Sequence, residues 1–241
     1  MRYMGSKAKL AKYIVPIIQN EIDTNGSIYY MEPFVGGANI IDKIQCQNKI
    51  GYDINKYLIG LLKQAQIDTS IFPEKITQEE YYYVKAHKDD FPDWYVGLVG
   101  FCASFSSQFF MGYGRNGEKS KGEYSTGSIN NIIKQAPNLK NIHFEIRNYL
   151  DIDNIIGYTI YCDPPYFSKS STKYRYLGTE KLNEDDFWNW CRKMGKNNII
   201  LISNYDAPED FKCIFERERT NAQHNAGELI VKERLYKYEQ S

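Results

Sequence analysis

The densest chemistry in the chain lies at Asp163-Pro164-Pro165-Tyr166. It follows Tyr158 to Cys162, a run of apolar, aromatic and β-branched residues that suits a short buried strand. Neither proline can donate to a sheet ladder, so the chain must leave the sheet at Asp163. In an open α/β sheet, ligands sit beyond the carboxyl ends of the strands. A carboxylate, a stiff turn and an aromatic face therefore meet where a ligand is expected. Such a set suits methyl transfer to the exocyclic amine of a nucleobase. That nitrogen is a poor nucleophile because its lone pair is delocalised into the ring. A carboxylate and a rigid backbone carbonyl, each accepting an N–H, draw it towards tetrahedral geometry, and the fixed turn is electrostatic preorganisation. A tyrosine ring stacked on the base would hold it in line with the donor. The same four residues also fit an ordinary strand ending in a Pro-Pro turn, with Asp163 as a turn residue.

Other elements must hold that turn in place. Ser27 to Phe34 reads as a strand that runs into Glu32-Pro33-Phe34-Val35-Gly36-Gly37-Ala38-Asn39 and then an apolar helix to Ile44. Strand, glycine turn and helix is the layout of a nucleotide-binding loop, although many strand-to-helix turns use glycine. Lys49 to Asn55 reads as a second strand ending in Asp53, with a helix from Asn55 to Gln66. An acid about 20 residues beyond such a turn commonly bonds ribose hydroxyls, while Asp also serves as a helix N-cap. No GxxxxGK[ST] pattern occurs, which argues against an NTPase.

Upstream, Leu10, Ile14, Ile17, Ile18 and Ile22 are spaced for one face of a helix that Ser6 could cap. Between Thr69 and Leu139 the α/β rhythm breaks. Helices are expected from Gln78 to His87 and from Trp94 to Gln108, then a hairpin or long loop from Met111 to Gly127. There Arg115, Lys119 and Lys121 alternate with tyrosines and glycines, which suits phosphate contact and base stacking as well as a merely flexible loop. A helix from Ile129 to Gln135 and a strand from Ile142 to Arg147 return to the sheet. Phe167 to Arg175 carries Lys169, Lys173 and Arg175 with several hydroxyls and no acid, as a phosphate-binding loop would. A helix from Asn183 to Lys196, a strand from Asn198 to Ser203, and strands from Cys213 to Glu218 and Glu228 to Tyr238 complete the chain. The last two, with no helix between them, predict an antiparallel pair on a mainly parallel sheet.

Length and composition set the frame. The 241 residues can bury a substantial core in one main domain with a modest insertion. Apolar content of 42% and charged content of 25% read as globular, and no apolar run approaches the ~20 residues of a membrane span. Met1 to Leu10 is polar and basic with no apolar core behind it, so no signal peptide is expected. Cys46, Cys102, Cys162, Cys191 and Cys213 are widely spaced without CxxC, and His87, His143 and His224 are scattered. Reduced thiols, a cytoplasmic location and no metal site are the expectation. With 30 acidic and 30 basic residues the chain is neutral, so a nucleic acid would have to meet local basic patches.

Taken in order, these motifs resemble the Dam-type family of adenine-N6 DNA methyltransferases, particularly its phage and prophage branch. Arg2 to Lys7 resembles the amino-terminal cofactor motif, Glu32 to Asn39 the glycine motif and Gly51 to Asn55 the acidic one. Asp163 to Tyr166 follows an insert, and Ser203 to Asp206 comes last. Asn148-Tyr149 stands where the family often has an acidic–aromatic pair. The resemblance implies S-adenosyl-L-methionine as methyl donor, double-stranded DNA as partner and a Rossmann-like α/β fold with a mixed seven-stranded sheet. By the same resemblance, Tyr3, Lys7, Glu32, Pro33, Phe34, Gly36, Gly37, Asp53, Ile54 and Asp163 border the cofactor. Asp163, Pro164, Pro165 and Tyr166 are expected to be catalytic, and Arg115, Lys119, Lys121, Lys169 and Lys173 to contact DNA. The expected division is a catalytic domain of residues 1–66 and 140–241 around a target-recognition insert, 67–139. The oligomeric state is left open, with a monomer favoured.

Three rivals share these motifs. An enzyme acting on RNA adenine would not need the 111–127 hairpin, and one acting on cytosine N4 could use the same Pro-Pro-Tyr turn. A catalytically silent DNA-binding protein would be expected to lose Asp163 or Tyr166.

Overall fold

The structure, a computed structural model, describes residues 1–115, 124–165, 182–221 and 229–239. Seven strands form one mixed sheet: β1 Tyr29–Glu32, β2 Asn48–Asp53, β3 Ile142–Ile146, β4 Tyr158–Cys162, β5 Ile199–Asn204, β6 Phe211–Asn221 and β7 Leu229–Tyr238. Their spatial order is β3-β2-β1-β4-β5-β7-β6. The first five run parallel, and β7 inserts antiparallel between β5 and β6. The expected antiparallel terminal pair on a parallel sheet is present. Because β1 has β2 on one side and β4 on the other, the chain reverses its direction of winding there. That switch point opens a crevice at the carboxyl ends of β1 and β4.

Among the described residues, six α-helices cover the faces: α1 Ala11–Asn25, α2 Lys56–Ile67, α3 Gln78–Ala86, α4 Asp93–Cys102, α5 Tyr124–Leu139 and α6 Glu184–Gly195. Alternation along the strands splits the core in two. Tyr30, Tyr161 and Leu201 pack towards α1, α2, α4 and α5. Met31, Ile160, Cys162, Ile200 and Ile202 face α6, where Phe187, Trp188, Trp190 and Met194 are buried. In α1 the buried stripe is Ala11, Ile14, Ile18 and Ile22, and Gly26 ends the helix at φ 63°. Asn183 caps α6, its Oδ1 accepting from the Asp186 amide at 3.2 Å. Glu184, Asp185 and Asp186 in the first turn, with Arg192 and Lys193 in the last, suit the helix dipole.

Several expected boundaries move. Ser6 caps only a short 3₁₀ turn, Lys7–Lys9, through its Oγ and the Ala8 amide. No α-helix follows the glycine turn, where a single 3₁₀ turn, Ile41–Lys43, stands instead. Ile40, Ile41 and Ile44 are all buried, and Gln135 of α5 bonds Asp42 within that turn. The helix expected to reach Gln108 ends at Cys102, and the chain continues into a compact loop. Residues 124–127, expected in the recognition loop, form the first turn of α5. Both α4 and α5 pack against α2, and Gly97 permits the close approach of α4 because a Cβ there would lie 2.1 Å from the Tyr57 carbonyl oxygen.

Candidate active site

At the carboxyl end of β4, Asp163 Oδ1 accepts a hydrogen bond from Lys7 Nζ at 2.7 Å. Lys7 is only 6% exposed and Asp163 21%, so water screens the pair poorly. Burial pushes the Asp163 carboxyl up from its ordinary range, and the Lys7 ammonium opposes that shift. Pro164 is buried and Pro165 half-buried, so the turn is anchored at both prolines.

Glu32 ends β1 on the neighbouring strand and is buried, accepting from Tyr30 Oη at 2.8 Å. Burial drives its carboxyl well above the ordinary value, and the nearby Asp163 charge pushes the same way. Beyond it, Pro33 is buried, and Phe34 packs on Tyr149 at 5.2 Å between ring centroids and edge-on to Phe187 at 5.9 Å. Asn148-Tyr149 thus contributes a wall: Tyr149 is buried behind Phe34, while Asn148 Oδ1 accepts from the Leu150 amide.

Gly36 sits at φ 49°, and the Tyr3 ring lies where its Cβ would come, at 3.1 Å. At Gly37 a Cβ would stand 2.7 Å from Asn39 Nδ2 and 2.9 Å from Tyr3 Cβ. These two glycines let the amino-terminal arm close over the turn. Asp53, at the end of β2, accepts from the Gly36 amide through Oδ2 at 3.2 Å and from the Asn55 amide through Oδ1 at 2.9 Å. It does not cap α2. Asn55 does, accepting from the Tyr57 and Leu58 amides. Burial raises the Asp53 carboxyl to about 6, with the amides of Asn55 and Gly36 limiting the rise. Ile54 beside it leaves an apolar side chain 46% exposed at the same strand end.

The structure therefore brings Tyr3, Lys7, Glu32, Pro33, Phe34, Gly36, Gly37, Asp53, Ile54 and Asp163 to the carboxyl ends of β1, β2 and β4. Arg115 meets the first residue of α3, its Nη2 donating to Gln78 Oε1 at 2.9 Å. Tyr166, Lys119, Lys121, Lys169 and Lys173 lie outside the described residues.

Two features escaped the sequence reading. Gln135, on α5, donates through Nε2 to the carbonyls of Gly37 (3.2 Å) and Ala38 (2.9 Å) and to Asp42 Oδ2 (3.0 Å). Nothing local marks it, since 98 positions separate it from Gly37. Behind the site, Tyr161 Oη and Ser203 Oγ share a hydrogen bond of 2.8 Å. Period-2 alternation places Tyr30 with Glu32 and Tyr161 with Asp163, a signal that could have found both tyrosines.

A parallel sheet with an antiparallel seventh strand, and a glycine turn and an acid-ended strand beside a Pro-Pro turn, define the Rossmann-like methyltransferase fold. The chain belongs to the family of D12 class N6 adenine-specific DNA methyltransferases, whose model matches residues 3–223. It is 26% identical over 193 residues to the type II methyltransferase M.FokI of Planomicrobium okeanokoites. That alignment takes in 69% of this chain and 28% of the relative, so the chain spans well under a third of that protein's length. Among solved structures, the methylase candidate HI0767 of Haemophilus influenzae aligns with a TM-score of 0.36 at 12% identity, over 97% of this chain and 88% of that one. The RNA-methyltransferase candidate PH1948 of Pyrococcus horikoshii aligns with a TM-score of 0.44 at 7% identity, over 96% and 81%. Identities this low say nothing about substrate.

Proposed function

We propose that this protein transfers a methyl group from S-adenosyl-L-methionine to the N6 amine of adenine in duplex DNA, after the base has been extruded from the helix. The observation that carries the reading is the Lys7–Asp163 pair, held at the end of β4 beside the Gly36–Asp53 contact. It supports reading Asp163 as the acceptor for the amine and Asp53 as the acceptor for the nucleoside. Membership of the D12 family supports adenine N6 over cytosine N4.

The donor set suits the cofactor. Asp53 offers each carboxylate oxygen to one amide, which leaves lone pairs for a ribose diol. Exposed Ile54 and half-buried Phe34 offer apolar surface to a base and a thioether chain. Bound there, S-adenosyl-L-methionine would supply an electrophilic methyl group. Asp163 would accept one N–H of the adenine amine, and the carbonyl of Pro164, rigid between two prolines, the other. Burial raises the Asp163 carboxyl and the Lys7 ammonium opposes that rise, which favours the charged acceptor. No general base of matched pKa is needed, because a methylated amine cation is acidic enough to lose its proton to water. Tyr166 would stack on the extruded base. Flipping costs a few kcal/mol, and one aromatic stack returns roughly 1–3 kcal/mol. In this reading residues 67–139 are the target-recognition insert, and Lys119, Lys121, Lys169 and Lys173 contact phosphates.

The test is mass analysis of nucleosides after DNA and RNA are each incubated with isotopically labelled donor. Label in N6-methyladenine from duplex DNA alone is the expected result. Label confined to RNA, or in N4-methylcytosine, would replace this reading with one of its rivals.

A further inference from the structure

The first turn of α1 carries charge of the sign that a helix start disfavours. Lys12 stands there with no acid beside it, and Lys9 precedes it in the 3₁₀ turn. Carboxylates suit the first turn of a helix and cations the last, as in α6, so this grouping gains the fold nothing. The acids of α1, Glu21 and Asp23, lie towards its opposite end.

A second element brings another cation to the same place. The hairpin of β6 and β7 outruns β5, whose pairing with β7 stops at Asn204 and Arg234. Beyond that point β6 continues along β7 through Arg217 and Glu233 to Asn221 and Leu229. Arg217 thus stands just past the carboxyl end of β5. Its Cζ lies 3.9 Å from the centroid of the Tyr13 ring, and Lys12 Nζ lies 4.9 Å from the same ring. Phe215 stacks on Tyr13 at 6.2 Å. Hydrogen bonding to Lys12 draws the Tyr13 phenol below its ordinary value, and Arg217 acts in the same direction.

The outer side of this cluster is cationic. Lys9, Lys12 and Arg217 are exposed, and among the described residues none of them is in an ion pair. Glu233, opposite Arg217 in register, is buried. Strand alternation turns Glu216 to the other face, where Lys232 and Arg234 hold it at 2.8 and 2.6 Å.

Hydrogen bonds tie the cluster to the candidate active site. The Tyr13 amide donates to the Leu10 carbonyl at 2.9 Å, and the Leu10 amide to the Lys7 carbonyl at 2.8 Å. Lys7 in turn holds Asp163. Six residues of 3₁₀ and α-helix rise roughly 9–12 Å, which is about three nucleotide steps of a DNA strand.

We propose that Lys9, Lys12 and Arg217, grouped around Tyr13, bind backbone phosphates of the duplex beside the target adenine and so give the DNA an anchorage outside the 67–139 insert. The chain is neutral overall, so attraction to a polyanion has to come from local groupings of this kind. Phosphate contacts fix orientation and carry no sequence information, so the cluster acts on every duplex alike. This assignment rests on the proposed methylation of duplex DNA.

The experiment compares the parent with Lys12→Gln, Arg217→Gln, their double variant, Arg217→Lys and a control, Lys140→Gln. Lys140 is exposed between α5 and β3, at the amino end of the sheet, so its replacement removes the same charge far from the cluster. Duplex affinity is measured against salt concentration. The slope of log affinity on log salt should fall by about one in each cluster variant and by about two in the double variant. At ~0.1 M salt, affinity should drop roughly five- to tenfold per charge, equally for a duplex the parent methylates and one it does not. Turnover should show the loss in KM for DNA and not in kcat, with donor affinity and thermal midpoint as in the parent. Arg217→Lys and Lys140→Gln should keep the parental slope. Parental slopes in both Lys12→Gln and Arg217→Gln, or an equal fall in Lys140→Gln, would overturn the assignment. So would a loss in Arg217→Lys as large as in Arg217→Gln, which would make packing on Tyr13 the cause. Any of these in an enzyme that methylates duplex adenine overturns the cluster alone. A parent that methylates no DNA adenine overturns the proposed function, and the assignment with it.

Discussion

Lys7 Nζ lies 2.7 Å from Asp163 Oδ1 across 156 positions of sequence. The contact joins the amino-terminal arm to the end of the central strand β4, and it sets the charge of the group proposed to accept the adenine amine. Burial alone would favour a neutral Asp163; the lysine opposes this.

Removing that charge has a defined sign. Lys7→Met should raise the Asp163 carboxyl further, so the acid limb of the kcat/KM profile moves to higher pH. Lys7→Arg should move it less, because the charge is retained. Methylation rates measured from pH 5 to 9 report the limb directly. An unchanged limb in Lys7→Met would separate the lysine from the acceptor's ionisation. Asp163→Ala should lower turnover by about 10²-fold or more, the scale of losing one preorganised polar group at a reacting atom.

Asp53 links donor binding to pH. With its carboxyl at about 6, donor affinity measured by calorimetry should weaken progressively as pH falls below that value. Asp53→Ala should cost about 1.5–3 kcal/mol of donor affinity at pH 8, the range for hydrogen bonds to a charged group. Stability runs in the opposite direction. The folded chain holds this proton to higher pH than the unfolded chain does, so the contribution is full below the unfolded value and is lost as pH rises through about 6. Relative to the parent, Asp53→Asn should therefore gain ~2–3 kcal/mol of stability between pH 4 and pH 7, read from denaturant titrations at each pH.

Gln135 should matter to the glycine turn although it lies on α5, within the segment proposed as the insert. Gln135→Met leaves the carbonyls of Gly37 and Ala38 without their buried donor, a loss of about 1–3 kcal/mol in stability. Donor affinity should fall with it, because the turn that Asp53 bonds is no longer braced. A variant that loses stability but binds donor as the parent does would confine Gln135 to packing.

Arg115 is the described cation proposed to read a base edge. A guanidinium bonds guanine bidentately, so Arg115→Ala should relax preference at one position of the site by ~1–3 kcal/mol. Lys119→Ala should weaken all duplexes alike and lower the salt slope by about one. Methylation profiling over a randomised duplex library at two salt concentrations separates the two outcomes.

Much of this protein is written locally in its sequence. Asp163-Pro164-Pro165 ends a strand because prolines cannot continue a ladder, and Gly36-Gly37 turns the chain because only glycine tolerates Tyr3 and Asn39 so close. Asp53 at a strand end, the α6 cap at Asn183 and the antiparallel final strands are likewise short-range patterns, legible within a few residues. The family follows from the order of those patterns, and its model matches 3–223. Misplaced helix limits involve neighbours far along the chain: Gln135 of α5 bonds Asp42 in the 3₁₀ turn that follows the glycines, and the loop after α4 is held by Tyr81 and Ile76. What only the tertiary structure decided is pairing: Lys7 with Asp163, Asp53 with Gly36, Gln135 with Gly37. Each depends on β1, β2 and β4 becoming neighbours and on α5 crossing the turn. Hydrogen bonds and desolvation act over a few ångströms of space whatever the separation in sequence, so residue types and spacing named the groups while folding set their protonation and their partners.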